Sequence, residues 1–155
     1  MMRTEITTTT EPIVTLAEAK IWLRVDHTAD DNLIEDIIIP AAQRRIEMAT
    51  GLMLSAGTEV KVEYTGIESA MYVDLPFAPV TSVELPEDST NEGDTLLIPA
   101  GDTTVEYTCG YTEVPADLKI LVLNQIDWMY NNRNSTELAP AVKGGILLYT
   151  RNLMF

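Results

Sequence analysis

The sequence predicts an α+β fold: a small helical bundle, with a long kinked second helix and C-terminal helices, carrying an inserted antiparallel β module. Three observations predict it. Apolar residues recur at helical spacing across residues 15–50, alternate with polar ones across 59–107, and return to helical spacing from residue 115. A chain of 155 residues fits a single domain over 1–155. Its segments are a helical hairpin at 14–51, a β module at 52–113, a helix at 114–134 and a C-terminal segment at 135–155.

Residues 1–10 are polar, with no apolar stretch or cleavage site of a secretory signal, and read as a loose arm. Thr15 and Glu18 form a capping box: the hydroxyl accepts from the third helical amide while the carboxylate reaches back. The helix it opens runs to Leu23 and carries Leu16, Ile21 and Leu23. Residues 26–29 are a turn. A second helix starts at Thr28 as cap, with Asp30 and Asp31 in the first turn, where negative charge suits the helix dipole. Leu33, Ile34, Ile37, Ile38, Ala41 and Ile46 keep helical spacing up to Gly51, a natural left-handed terminator. Pro40, inside this run, removes an amide and predicts a kink.

From residue 52 the period becomes two. Val60, Val62 and Tyr64 alternate with Glu59, Lys61 and Glu63, as in a half-buried strand. Further strands are expected at 71–75, 80–85, 95–98 and 103–107, punctuated by Gly66, Pro76, Pro79, Gly93 and Gly101. The acidic, turn-rich stretch 84–94 reads as a protruding loop. Pro115 suits a first helical position, and Leu118, Leu121, Val122, Ile126 and Met129 share one side of the helix that follows. Residues 135–139 are a linker, and a short helix from Pro140 is expected to break at Gly144 and Gly145.

The formal net charge is −14, which argues against an electrostatic grip on nucleic acid, since that needs clustered Lys and Arg. The charge is uneven. Residues 51–113 hold 12 acidic side chains and 1 basic one, whereas residues 114–155 hold 3 and 4. No run reaches the ~18 apolar residues of a membrane-spanning helix. Cys109 is the only cysteine, so it cannot form an internal disulfide or a thiolate metal site, and a reducing compartment follows.

Nothing in the chain reads as catalytic, and no cofactor or metal is expected. His27, the single histidine, lies beside Asp26, Asp30 and Asp31, but a turn and a helix start favour carboxylates there anyway. Cys109 has no basic neighbour in sequence to lower its pKa. The acidic stretch 84–94 lacks the spacing of a helix–loop–helix calcium site, and the glycine pair lacks the lysine of a phosphate loop. Trp22 and Trp128 fit core packing or subunit contact. Residues 146–155 are different: apolar, aromatic and at a chain end, they either pack back on their own helices or dock on a partner.

Four patterns in order resemble the phage head–tail connector (adaptor, or head-completion) family. They are Val14-Thr-Leu-Ala-Glu-Ala-Lys-Ile-Trp-Leu-Arg-Val-Asp26 with the helix to Gly51, and Tyr107-Thr-Cys-Gly-Tyr111 followed by Val114-Pro-Ala-Asp-Leu-Lys119. Leu138-Ala-Pro-Ala-Val-Lys143 and then Leu147-Leu-Tyr-Thr-Arg151 close the set. The similarity covers 14–51 and 107–151; the β block is the variable part, and Pro40 stands where a plain helix former is expected.

The resemblance implies a virion protein of the capsid–tail neck, assembled from the host cytoplasm, forming a ring of about twelve copies on the portal protein. Such a ring extends the channel for double-stranded DNA without binding it specifically, and offers a platform for a stopper or tail protein. No membrane is involved. On this reading Glu84, Glu87, Asp88, Glu92 and Asp94 face the channel and repel phosphates. The near-neutral end, through Val142, Lys143, Ile146, Leu147, Leu148, Tyr149, Arg151, Leu153, Met154 and Phe155, seats on the portal. Rival readings are a stopper or tail-completion protein, and an acidic DNA mimic that inhibits a DNA-binding enzyme. The mimic needs carboxylates spaced like phosphates over an extended face, whereas these cluster in turns.

Overall fold

A computed structural model describes residues 1–8, 11–87, 89–135 and 137–150. In chain order the elements are β1 (Met2–Ile6), α1 (Leu16–Leu23), α2 (Asp31–Leu33), a π-helical turn (Ile34–Ile38), α3 (Ile39–Thr50), β2 (Thr58–Ile67), β3 (Met71–Asp74), β4 (Val80–Leu85), β5 (Asn91–Glu92), β6 (Thr95–Ile98), β7 (Gly101–Cys109), α4 (Ala116–Asn131) and α5 (Pro140–Ile146). The fold is α+β, with both sheets antiparallel. The chain forms two compact units: Met1–Thr10 with Gly51–Thr112, and Glu11–Thr50 with Glu113–Thr150.

The β unit is a sandwich of two sheets, ordered β1-β2-β7-β4 and β3-β6-β5. Alternation in β2 and β7 sends Val60, Val62, Tyr64, Val105, Tyr107 and Cys109 inward, where they meet Val73, Leu75, Leu96 and Ile98 in one core. The N-terminal residues are an edge strand instead of the expected loose arm. Met2 lies opposite Tyr64 and Ile6 opposite Val60, so Met2 and Ile6 pack on the core while Arg3 and Glu5 point out. The expected loop at 84–94 is also smaller, because β4 continues to Leu85 and β5 pairs Asn91 and Glu92 with β6. A bulge interrupts β2 at Gly66, whose φ is +72° and whose amide donates to Asp102 Oδ1 at 3.0 Å.

Gly110 marks where the chain leaves β7. Its φ is +119°, and a Cβ there would stand 1.9 Å from the Ser55 carbonyl oxygen. Only glycine lets these two backbone segments touch. The Tyr107 hydroxyl, at the same end, accepts from the Phe77 amide at 3.0 Å.

The helical unit begins as expected. Glu18 Oε2 accepts from the Thr15 amide at 2.9 Å and the Glu18 amide donates to Thr15 Oγ1 at 3.2 Å, closing the capping box of α1. Glu18 Oε1 also takes Lys119 Nζ at 2.6 Å, tying α1 to α4 and holding the carboxyl below its ordinary pKa. The second helical run is capped at Asp30, not at Thr28, and the Asp30 side chain makes no cap bond. It accepts instead from the Tyr130 hydroxyl at 2.6 Å, a bond that raises the Tyr130 pKa, and it pairs with Arg133 at 3.5 Å. The kink expected at Pro40 takes the form of the π-helical turn. Pro40 has no amide for the Asp36 carbonyl, and the widened turn, in which the Ile39 amide donates to the Ile34 carbonyl, absorbs the missing bond. Pro115 is the N-cap of α4, one position earlier than expected, and α5 continues through Gly144 and Gly145.

The buried Tyr64 hydroxyl has no hydrogen-bond partner among the described residues, and lies by an apolar hollow lined by Met1, Met2, Ile67, Met71 and Val73. Burial, helped by the Asp74 carboxylate, pushes its pKa from 10.0 to about 12. A raised folded-state pKa means the stability it accompanies is intact below pH 10.0 and is lost as pH rises toward about 12. Tyr64→Phe removes an unsatisfied buried hydroxyl and is expected to raise stability by up to ~1 kcal/mol in urea unfolding, and to reduce the alkaline loss. Gly110→Ala is expected to cost more than ~3 kcal/mol in the same measurement, because backbone and not a movable side chain blocks the Cβ.

Candidate functional site

The chemistry-bearing side chains are placed as structure. His27 is exposed, and its carbonyl, not its ring, accepts from Lys20 Nζ at 2.7 Å. Cys109 is wholly buried in the sandwich core. No group of three or more His, Cys, Asp or Glu among the described residues can hold a metal ion, and no helix of the described residues is long and apolar enough to cross a membrane. The candidate sites are therefore surfaces.

The first is the C-terminal element. Gln125, on the inner side of α4, is wholly buried and makes both ends of its amide useful. Its Oε1 accepts from the Ala139 amide at 2.8 Å and its Nε2 donates to the Glu137 carbonyl at 3.3 Å, so the linker is clamped just before α5. Pro140 then starts α5 with its missing amide at no cost. Val142 and Ile146, one helical turn apart, are buried. Gly145 brings the helix against Leu121, whose Cδ2 lies 2.9 Å from where a Cβ would be. The expected docking residues thus separate into two roles. Val142 and Ile146 anchor α5 in its own unit. Lys143 is exposed and pairs with Glu137 at 3.6 Å, and Tyr149 is half-buried. Leu147 and Leu148 project, 73% and 85% exposed. The turn that presents them is closed by the Tyr149 and Thr150 amides donating to the Ile146 carbonyl, each at 3.0 Å. Arg151, Leu153, Met154 and Phe155 lie outside the described residues.

The second surface is acidic. Glu84 projects from edge strand β4, where it accepts from the Thr108 hydroxyl at 3.0 Å and from Ser82. Glu59, Lys61 and Glu106 share its hollow on the outer face of the four-stranded sheet. Glu87 is exposed in the turn after β4, and Asp88 lies outside the described residues. Glu92 is exposed on β5, in the other sheet. Asp94 is different in kind: its Oδ1 accepts from the Val80 amide at 2.9 Å and its carbonyl from the Leu75 amide at 2.8 Å, so it pins the two sheets' connections. The four described carboxylates do not form one array. The register also sets Arg3 opposite Glu63 and Glu5 opposite Lys61 on the outer face, alternation that a phosphate mimic would not have.

Two exposed apolar features were not singled out in the sequence. Tyr72 and Leu97 face each other across β3 and β6 on the solvent side, and Met48 projects from α3 beside Arg44. The signal was present: in an alternating strand, Tyr72 and Leu97 occupy the positions where polar residues belong.

Residues 13–154 match the family described as phage gp6-like head–tail connector protein. A solved chain from the virion of a native gene transfer agent particle has the same fold, with a TM-score of 0.73 at 18% identity over 98% of this chain and 97% of that one. A second, from the neck of a native gene transfer agent particle computed with C12 symmetry, gives a TM-score of 0.63 at 16% identity over 96% and 98%. No curated protein matches the chain in sequence.

Gln125→Ala is expected to cost ~1–3 kcal/mol, since the buried Ala139 amide loses its acceptor. Hydrogen exchange should show the loss concentrated at Ala139 and Val142, with the β unit unchanged.

Proposed function

We propose that this chain, which belongs to the phage gp6-like head–tail connector family, works as one subunit of a ring seated on a portal protein. The observation that carries the reading is the extent of the match: residues 13–154 include both the helical unit and the sandwich. Connector proteins of this family are structural components of the neck, and no enzyme chemistry is asked of them. A ring of about twelve copies fits a cyclic assembly, and the C12 symmetry of the solved neck with the same fold supports that number.

In this role the projecting Leu147 and Leu148, with the residues that follow, supply the portal contact. Two neighbouring leucines held outside the core are costly in water and gain by burial on a partner, ~1.5–3 kcal/mol each when fully covered. Their anchor is rigid, because Val142, Ile146 and Gly145 fix α5 in the helical unit. The channel side is assigned to the β4 edge and its turn, through Glu84 and Glu87. Carboxylates there repel phosphates, so duplex DNA passes without adhering. Glu92, in the other sheet, and Asp94, used as a pin, are left out of the channel surface. The opposite end of the ring serves a stopper or tail protein. The finished assembly belongs to the virion neck, with subunits drawn from the host cytoplasm.

Electron microscopy of the protein mixed with the portal of its own particle tests this. Wild type is expected to add a ring beneath the portal, and the double variant Leu147→Asp, Leu148→Asp to bind at least ten times more weakly while keeping its circular dichroism. A folded wild type that adds no density to an intact portal overturns the role.

A further inference from the structure

A cyclic ring requires each copy to carry two different surfaces that fit one another. Resting on the ring reading above, we infer that the outer face of the three-stranded sheet of one copy docks into the Arg44–Met48 groove of the next copy.

The sheet face is built by register. Tyr72 is directly opposite Leu97, and the two are 60% and 48% exposed. On the same face, one step along, Asp74 and Glu92 are each opposite Thr95, whose hydroxyl donates to Asp74 Oδ1 at 2.7 Å. The Glu92 side chain makes no hydrogen bond or ion pair among the described residues. The face is therefore an apolar pair bordered by carboxylates, one of them unpaired.

The groove has the opposite character. Met48, 45% exposed, lines the hollow together with Ala49, Leu138, Arg44 and Arg45. Arg44 is exposed and unpaired among the described residues. Methionine is an adaptable surface for an aromatic ring, and a guanidinium stacks on a tyrosine face while reaching a carboxylate. Each element of the sheet face thus has a counterpart: Met48 for Tyr72 and Leu97, Arg44 for Glu92.

The signs also fix the symmetry. Two sheet faces meeting would oppose carboxylates, and two grooves would oppose guanidinium groups. A two-fold dimer is disfavoured on both, whereas sheet face to groove satisfies charge and apolar area together. That contact is head-to-tail, the kind a ring requires.

Cysteine cross-linking of the full chain tests the contact, because the single native cysteine is buried in the core and does not compete. Leu97→Cys and Met48→Cys are made separately and together, all at exposed positions. A mixture of the two single variants is expected to give a disulfide-linked dimer that stops at two copies. The double variant is expected to give a ladder of higher oligomers. Arg44→Glu in the Met48→Cys chain should slow dimer formation at least tenfold, and Glu92→Arg in the Leu97→Cys chain should restore it. If the mixture gives no dimer, with Tyr72→Cys in place of Leu97→Cys also silent, while wild type still forms a ring on the portal, the contact is overturned and the ring stands. Dimers formed by either single variant alone overturn it as well. A wild type that forms no ring on the portal removes the ring and this contact together.

Discussion

Among the described glycines, the tightest backbone contact is at Gly110. The Ser55 carbonyl occupies the space a side chain would need, so the end of β7 and the start of β2 are locked against each other. The central ladder of the larger sheet follows, because β7 pairs with β2 on one side and β4 on the other. Once β7 is placed, Val105, Tyr107 and Cys109 define the core floor, and β3 and β6 have an apolar surface to cover. The exposed position of Glu84 is a consequence of this register, as those of Tyr72 and Leu97 are of the β3–β6 register in the other sheet. A shift of one residue would exchange core and solvent faces along the whole strand.

Much of this was legible in residue order. Thr15 and Glu18 announced α1 because a capping box is a local device, complete within four residues. Gly51, Val60, Val62 and Tyr64 were equally local signals. Most of what escaped reading depended on distant partners. Met2, Thr4 and Ile6 carry too little apolar character to declare a strand; they become β1 because β2, some sixty residues later, supplies both the ladder and the core. Asn91 and Glu92 escaped for another reason: paired with Leu96 and Thr95 just across the turn, they make a strand of two residues, too short to show a period. Asp30 rather than Thr28 begins the second helical run because Tyr130 and Arg133, a hundred residues away in sequence, hold its carboxylate. The candidate surfaces were less legible still. Val142 and Ile146 share the apolar character of Leu147 and Leu148, and sequence alone does not say which of them α4 covers.

Assembly calls for surfaces that differ from one another, and the chain separates them by composition. The two units share the carboxylates equally, but the sandwich has few cations to offset them, while the helical unit carries Arg44, Arg45 and the projecting leucines. Polar side chains inside the helical unit serve to fix those surfaces: Gln125 holds the start of α5, and Glu18 joins the capping of α1 to Lys119 on α4. A connector that must be added once and remain bound gains from elements that are rigid before the partner arrives, because less ordering is required on binding.

In the proposed neck this chain forms a closed ring, with the β4 turn toward the DNA. The decisive experiment is a cryo-electron microscopy reconstruction of the neck of the particle that carries it. The expected map shows one cyclic ring of this chain between portal and tail, with Glu84 and Glu87 of every copy facing the channel axis. A neck map in which the chain is missing, is present as a single copy, or turns the β4 edge outward would contradict it.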